Sequence, residues 1–250
     1  KEDSSTIGTP FSPNFLVDID NFDIKGSDKG TEAPSKPVPK AEVQFINNSP
    51  FQSLENVDVF INGKLAIVNF TYQTATPFFE FPAEEKLSIG IAQADNSSIN
   101  TIFATRSISL EENEKYIIVI SGTEEGPQSK GVITVHEYAP AKTFTTDPKE
   151  LEILSFHGAL DTPALSFQLG NTTLANNFSF GTFSEEYIPV TPEEATLEVF
   201  PVNPSGFNPV KFSAPFSELA GNTMILLASG FIGSEGDKGF TVLGVFPDGS

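Results

Sequence analysis

At 250 residues the chain is long for one compact domain and comfortable for two, because domains cluster near roughly 100 to 150 residues. Thirty-three acidic residues against fourteen basic ones leave a net charge of −19, which repels nucleic acid and anionic headgroups, partners that need clustered Lys and Arg. The absence of cysteine removes disulfides, thiolate metal ligands and cysteine nucleophiles together.

Residues 1–40 are rich in Asp, Ser, Gly and Pro and close on the spacing Pro34, Pro37, Pro39 of an extended tether. Within them Phe11, Phe15, Leu16, Val17, Ile19, Phe22 and Ile24 carry apolar surface. Two outcomes stay open for 11–24: docking on the first folded unit, as an added strand for example, or disorder. Asp18, Asp20 and Asp23 space oxygen ligands as hard cations prefer, but the glycine turn and distal glutamate of a calcium-binding loop are missing, so a solvated acidic tether is the simpler reading.

From residue 41 the apolar spacing is two, which is strand spacing: Val43 and Phe45, then Val57, Val59 and Ile61, then Leu87, Ile89 and Ile91. The five apolar residues at 116–120 predict a strand buried on both faces. Asn62-Gly63 tolerates the positive φ of a tight hairpin. A connection follows at 138–149, with Pro140 and Pro148, of a length that gives a semi-rigid pair. The second unit then repeats the first. Shifting the sequence by 108 residues lays Asn69 on Asn177, Phe70 on Phe178, Thr74 on Thr182 and Ile117 on Ile225, with Ser121-Gly122 on Ser229-Gly230. Leu165, Phe167, Leu169 and Leu197, Val199 keep the alternation, 224–228 is a second five-residue apolar run, and Gly170-Asn171 is the matching turn. Such persistence of phase implies duplication of a folding unit. No window of helix length shows an apolar stripe, and no apolar run exceeds five residues, far short of the roughly 18 that a spanning helix needs. The expected fold class is all-β: an acidic tether at 1–40, then two tandem Ig-like antiparallel β-sandwich domains at 41–142 and 150–250.

The strings AEVQFINNSP (41–50), VDVFINGK (57–64), NFTYQTATPFFEFPA (69–83) and LEENEKYIIVISG (110–122) resemble successive motifs of the domain-of-unknown-function family 4397, found mainly in secreted and envelope proteins of Bacteroidetes and other bacteria. FHGALDTPALSFQLG (156–170) and ILLASGF (225–231) extend the resemblance over the second unit. It implies tandem β-sandwiches and export, and brings no agreed catalytic activity. Asn48 stands where the family often has His, and Ser166 stands where the first unit has Asp58. Lys1-Glu2-Asp3 is similar to the lysine-then-acidic signal that follows the lipidated cysteine of Bacteroidetes surface lipoproteins. That resemblance implies a fatty-acyl anchor upstream of Lys1, with the chain held at the outer membrane and no spanning segment.

His136 and His157 are the two histidines, and the 108-residue shift sets them over Gly244 and Ser49, so neither recurs. His157 has Ser155 and Asp161 close in sequence, but no Gly-x-Ser-x-Gly elbow is present and a structural loop histidine is the simpler reading. Asp58, His157 and Asp161 are the candidate binding residues; no catalytic residue, metal site or cofactor is assigned. Glu84-Glu85 and Glu193-Glu194 occupy corresponding places, yet adjacent strand residues point to opposite faces and do not frame a cleft. The chain has no Trp and four Tyr for sugar platforms, and its Phe residues, Phe45, Phe167 and Phe240 among them, fall mostly on inward positions. A Phe-rich exposed patch such as Phe78-Phe79-Phe81 is a candidate part of an interaction face. The reading is a monomeric, non-enzymatic surface lipoprotein that binds or adheres to a protein or glycan through its loops, with a glycan-binding accessory protein of a polysaccharide-uptake system as the alternative.

Overall fold

Alternating apolar residues separated by tight turns can bury one face of each strand only by stacking two sheets, and the computed structural model shows that solution twice. It describes residues 5–6, 38–51, 54–83, 86–94, 102–123, 132–192, 195–202, 208–214 and 216–250. In the first module, β2 (Lys40–Asn47), β5 (Thr74–Ala75), β6 (Phe79–Pro82), β9 (Lys115–Thr123) and β10 (Val132–Tyr138) form one sheet in the order β10-β9-β2-β5, with β6 also on β2. β3 (Asn56–Ile61), β4 (Lys64–Thr71), β7 (Lys86–Gln93) and β8 (Ala104–Ser109) form the other, in the order β4-β3-β7-β8. The pairs are antiparallel except β2 with β9.

The second module repeats this plan. One sheet runs β14 (Ile188–Val190), β11 (Leu151–His157), β17 (Thr223–Ser229), β18 (Thr241–Val245), with β11 and β17 parallel. The other runs β16 (Val210–Ala214), β15 (Ala195–Pro201), β12 (Leu165–Leu169), β13 (Thr172–Phe178). The short β1 (Ser5–Thr6) adds to the free edge of β16 in parallel. Thus a piece of the leader joins the second module, whereas the docking segment at 11–24 lies outside the described residues, as do Asp18, Asp20, Asp23, Glu84-Glu85 and Glu193-Glu194.

Strand pairing corrects the uniform shift of 108. Val57 faces Gln93 and Leu165 faces Pro201, so β3 and β7 keep it. In the first strand of each module Glu42 faces Lys115 while Glu152 faces Thr223. Thr223 lies 108 positions after Lys115 but Glu152 lies 110 after Glu42, so His157 is the counterpart of Asn47, not of Ser49. By the same reasoning His136, opposite Val119, corresponds to Leu243, opposite Leu227. Insertions in loops shift individual strands while their pairing partners stay constant.

Each sandwich has its own core, one around Val43, Phe45, Val59 and Phe70 and one around Ile153, Phe167, Phe212 and Phe216. A third core lies between the modules. There the sheet containing β2 and β9 packs on the sheet containing β11 and β17, burying Ile46, Ile117 and Val119 against Leu154, Phe156, Ile225, Leu227, Leu243 and Val245. The molecule is therefore a four-layer stack. The connection between modules is packed too: Ala141 is buried in this third core, Lys142 pairs with Glu152 at 2.6 Å, and Thr223 Oγ1 donates to the Lys142 carbonyl at 3.1 Å. The Phe78-Phe79-Phe81 patch is absorbed likewise, Phe81 and Phe79 by the first core and Phe78 by the third, because β6 lies flat on β2.

Leu227→Ala removes a fully buried side chain from the third core, and a cost of about 2–5 kcal/mol is expected. Chemical denaturation followed separately in each module checks this. Both modules of the parent should unfold at one midpoint, and the substitution should lower it or split it in two.

Candidate functional site

Several buried polar residues hold the backbone in shape. In the β3–β4 hairpin, Val57 faces Phe70 while Val59 faces Ile67, so β4 carries an extra residue. The β12–β13 hairpin repeats the bulge, with Leu165 on Phe178 and Phe167 on Ala175. At both bulges an asparagine, Asn69 or Asn177, takes φ of 51°, a left-handed conformation that Asn tolerates better than other non-glycine residues. Turning the backbone there strands an amide, and Asp58 accepts it: Asn69 N donates to Asp58 Oδ1 at 2.9 Å. Ser166 Oγ does the same for Asn177 N at 3.1 Å. Asp58, 1% exposed, is thus a bulge clamp whose role Ser166 fills in the second module.

His157 closes β11 inside the second sandwich and is fully buried. Thr162 Oγ1 donates to the Ala159 carbonyl at 2.8 Å, so its proton is committed. The Nε2 of His157, 3.1 Å from that oxygen and 3.0 Å from the Pro163 carbonyl, must carry the hydrogen and donate. Nδ1 is left buried without a partner, as is Ser155 Oγ two residues back. Burial pushes the His157 imidazole below its ordinary value, outweighing a hydrogen bond to Pro163 that favours the proton. Asp161, exposed, accepts the Ile232 amide at 2.9 Å. The structure places Ser155, His157 and Asp161 near one end of the second sandwich without joining them. Asp58 lies in the other module.

Sequence reasoning missed a polar chain across the module boundary. Ser229 Oγ donates to Asn48 Oδ1 at 2.6 Å and lies 2.8 Å from Tyr72 Oη, and Asn48 Nδ2 donates to the Gly158 carbonyl at 3.0 Å. Gln44 Nε2 donates to Phe246 O and Thr76 O, both at 2.8 Å. Gly158 is required here, since a Cβ would stand 2.1 Å from Asn48 Nδ2. Burial raises the Tyr72 phenol above its ordinary value, the bond to Ser229 lowering it by less. Apart from the Gln44 bond to Thr76 within the first module, each of these bonds forms only when the modules are docked.

Two surface concavities lie along open seams of the sandwiches. One, of about 410 Å³, runs between edge strand β13 and residues 183–188, lined by Thr173, Asn176, Phe178, Phe183, Glu185 and Glu186 among others. It ends against the aromatic rim of the module junction, where Phe183 packs on Phe156 at 4.4 Å and on Tyr138 at 5.2 Å. The other, of about 250 Å³, lies between β8 and β10, with Ile91, Ile133 and Val135 on its floor and Arg106 at its side. The first groove combines hydrogen-bonding side chains with aromatic faces, the lining that small polar ligands use.

With this architecture in hand, comparison with known proteins gives a family for the first module. Residues 41–144 match the family described as domain of unknown function (DUF4397). The search of curated proteins found no match. Among solved structures the chain is similar to the Bacillus anthracis TIE protein, at 12% identity and a TM-score of 0.22, covering 81% of this chain and 34% of that one. The chain thus spans about a third of that protein's length.

Replacing Asp58 by Ala leaves the Asn69 amide buried and unpaired, at an expected cost of about 1–3 kcal/mol. Asp58→Ser, which copies the second module, should recover most of that loss. Urea melts of the two variants test the assignment, and a Ser variant as unstable as the Ala variant contradicts it.

Proposed function

We propose that the chain is a non-enzymatic, surface-displayed lipoprotein that binds or adheres to an extracellular ligand, acting as a monomer. The observation that supports this most is the groove of about 410 Å³ beside β13 and the module junction. One of its lining residues, Phe183, packs on Phe156 and on Tyr138 of the first module, so that part of the wall is fixed before a ligand arrives, and preorganisation of that kind favours binding. Its side chains can recognise polar groups through Thr173, Asn176, Glu185 and Glu186 and apolar faces through the half-buried Phe183 and Ile188. A glycan fits the same lining, and this favours the second reading, a glycan-binding accessory protein of a polysaccharide-uptake system. Attachment by a lipid upstream of Lys1 rests on the Lys1-Glu2-Asp3 run, and a cysteine immediately upstream in the precursor is what that part of the proposal requires.

Purified protein on a glycan array and on a panel of extracellular proteins separates the two readings. Binding to either is expected to weaken at least about tenfold, or ~1.4 kcal/mol, in the double variant Asn176→Ala with Glu186→Ala. A flat glycan profile removes the second reading, and full binding by the double variant removes the groove.

A further inference from the structure

Of the two histidines, His136 stands where the modules meet. His136 lies on β10 of the first module, and its ring centre is 5.3 Å from that of Phe156 and 5.8 Å from that of Phe180, both of the second module. Gly181 approaches it so closely that a Cβ there would be 2.5 Å from Cε1 of the imidazole. The Nε2 of His136 is buried with no hydrogen-bond partner. The ring centre of His157 lies 6.3 Å from that of the same Phe180. A first-module imidazole is therefore seated in a second-module aromatic socket with one nitrogen stranded.

We propose that His136 makes the module junction a pH-sensitive latch, closed while the imidazole is neutral and loosened when it takes up a proton. The surroundings of the ring decide this. β9 presents Val119 opposite it, β11 presents Phe156, and the β13–β14 connection presents Phe180 and Gly181. On β10 itself Glu137 is exposed on the opposite pleat. Further along the connection Glu186 acts on Tyr138, helping burial raise that phenol. None of these brings a carboxylate to the ring. Burial is accordingly the largest influence on His136 and holds its pKa below the ordinary value, a backbone hydrogen bond at Gly181 opposing it by less. In the open form the imidazole regains its ordinary value near 6.5. The sign follows: the junction is at full strength above about pH 6.5 and weakens as the pH falls through that value, down to the pKa of the closed form. Over that window each unit of pH multiplies the open-to-closed ratio by up to about ten.

The amide of Phe78, which donates across the junction to the Pro247 carbonyl at 3.3 Å, reports opening. In the full chain its hydrogen exchange, corrected for the intrinsic rate, should accelerate by up to about tenfold per unit between roughly pH 6.5 and pH 5. His136→Phe keeps the packing and cannot titrate, so its Phe78 amide should show no such acceleration while matching the parent near pH 7.5. Equal acceleration in parent and variant, or none in the parent, overturns the proposal. Because the chain has two histidines, proton NMR of the parent, with His157→Gln to assign the signals, tests it even where the Phe variant misfolds. A His136 midpoint below about 6.5 supports the latch, and one at or above that value overturns it.

Discussion

Four strands at the centre of the molecule are buried on both faces, and the rest of the architecture follows from the need to cover them. In β9, Tyr116, Ile118 and Ile120 enter the first core while Ile117 and Val119 enter the third; in β17, Met224, Leu226 and Ala228 enter the second while Ile225 and Leu227 enter the third. β2 and β11 lie beside them as parallel partners, in keeping with the rule that parallel pairing belongs in the interior. A single module would leave one apolar face of its central sheet in water. Docking the two copies back to back removes that face from both, so duplication here completes the fold as well as repeating it.

Covering a sheet face with another sheet also constrains polar chemistry, since a donor or acceptor buried on that face without a partner in its own module needs one from the other. Asn48, Ser229, Tyr72, Gly158, Gln44 and Phe246 supply those partners to one another. Around the edge, Lys238 pairs with Glu55 at 2.8 Å and Phe51 meets Phe231 edge-on at 5.3 Å. Apolar packing of this kind is tolerant of sliding, whereas a hydrogen-bond chain is not, and the polar groups therefore fix one register between the sheets.

The fold class was legible because strand periodicity is local: every alternating run from Val57 to Val199 became a strand, and the two five-residue apolar runs were correctly read as buried on both faces. What covers the second face was not legible, because a partner sheet more than a hundred residues away leaves no spacing signal. The Phe78-Phe79-Phe81 run illustrates this, exposed in appearance, whereas Phe81 is buried and Phe78 and Phe79 are half-buried against two different cores. Register was legible within hairpins and not between copies, since loop insertions moved β2 and β11 relative to the repeat. Of the candidate residues, Asp58 is replaced by Ser166 in the second unit, and the two share a role at the bulge that strand spacing does not signal. The groove beside β13 has no sequence motif, because Asn176 and Glu186 come together only through the sandwich.

Comparing the copies separates residues that serve the fold from those that serve this arrangement. Asp58 and Ser166 differ in charge yet accept the same stranded amide, and Asn47 and His157 differ in shape yet each ties its strand end to the following loop, Asn47 Nδ2 through the Leu54 and Glu55 carbonyls at 3.4 Å and His157 Nε2 through that of Pro163 at 3.0 Å. Substitutions of that sort are free to drift because any group with the right donor or acceptor suffices. Asn48 and His136 correspond instead to Gly158 and Leu243, which carry no polar side chain, and both face the other module. Under the binding reading, this asymmetry matters mechanically. The docked sheets, and not the linker, set the angle between the seams of the two sandwiches, so a repetitive ligand engages both only where its spacing matches that fixed angle. Whatever loosens the junction then changes which ligands can bridge it without altering a single contact residue.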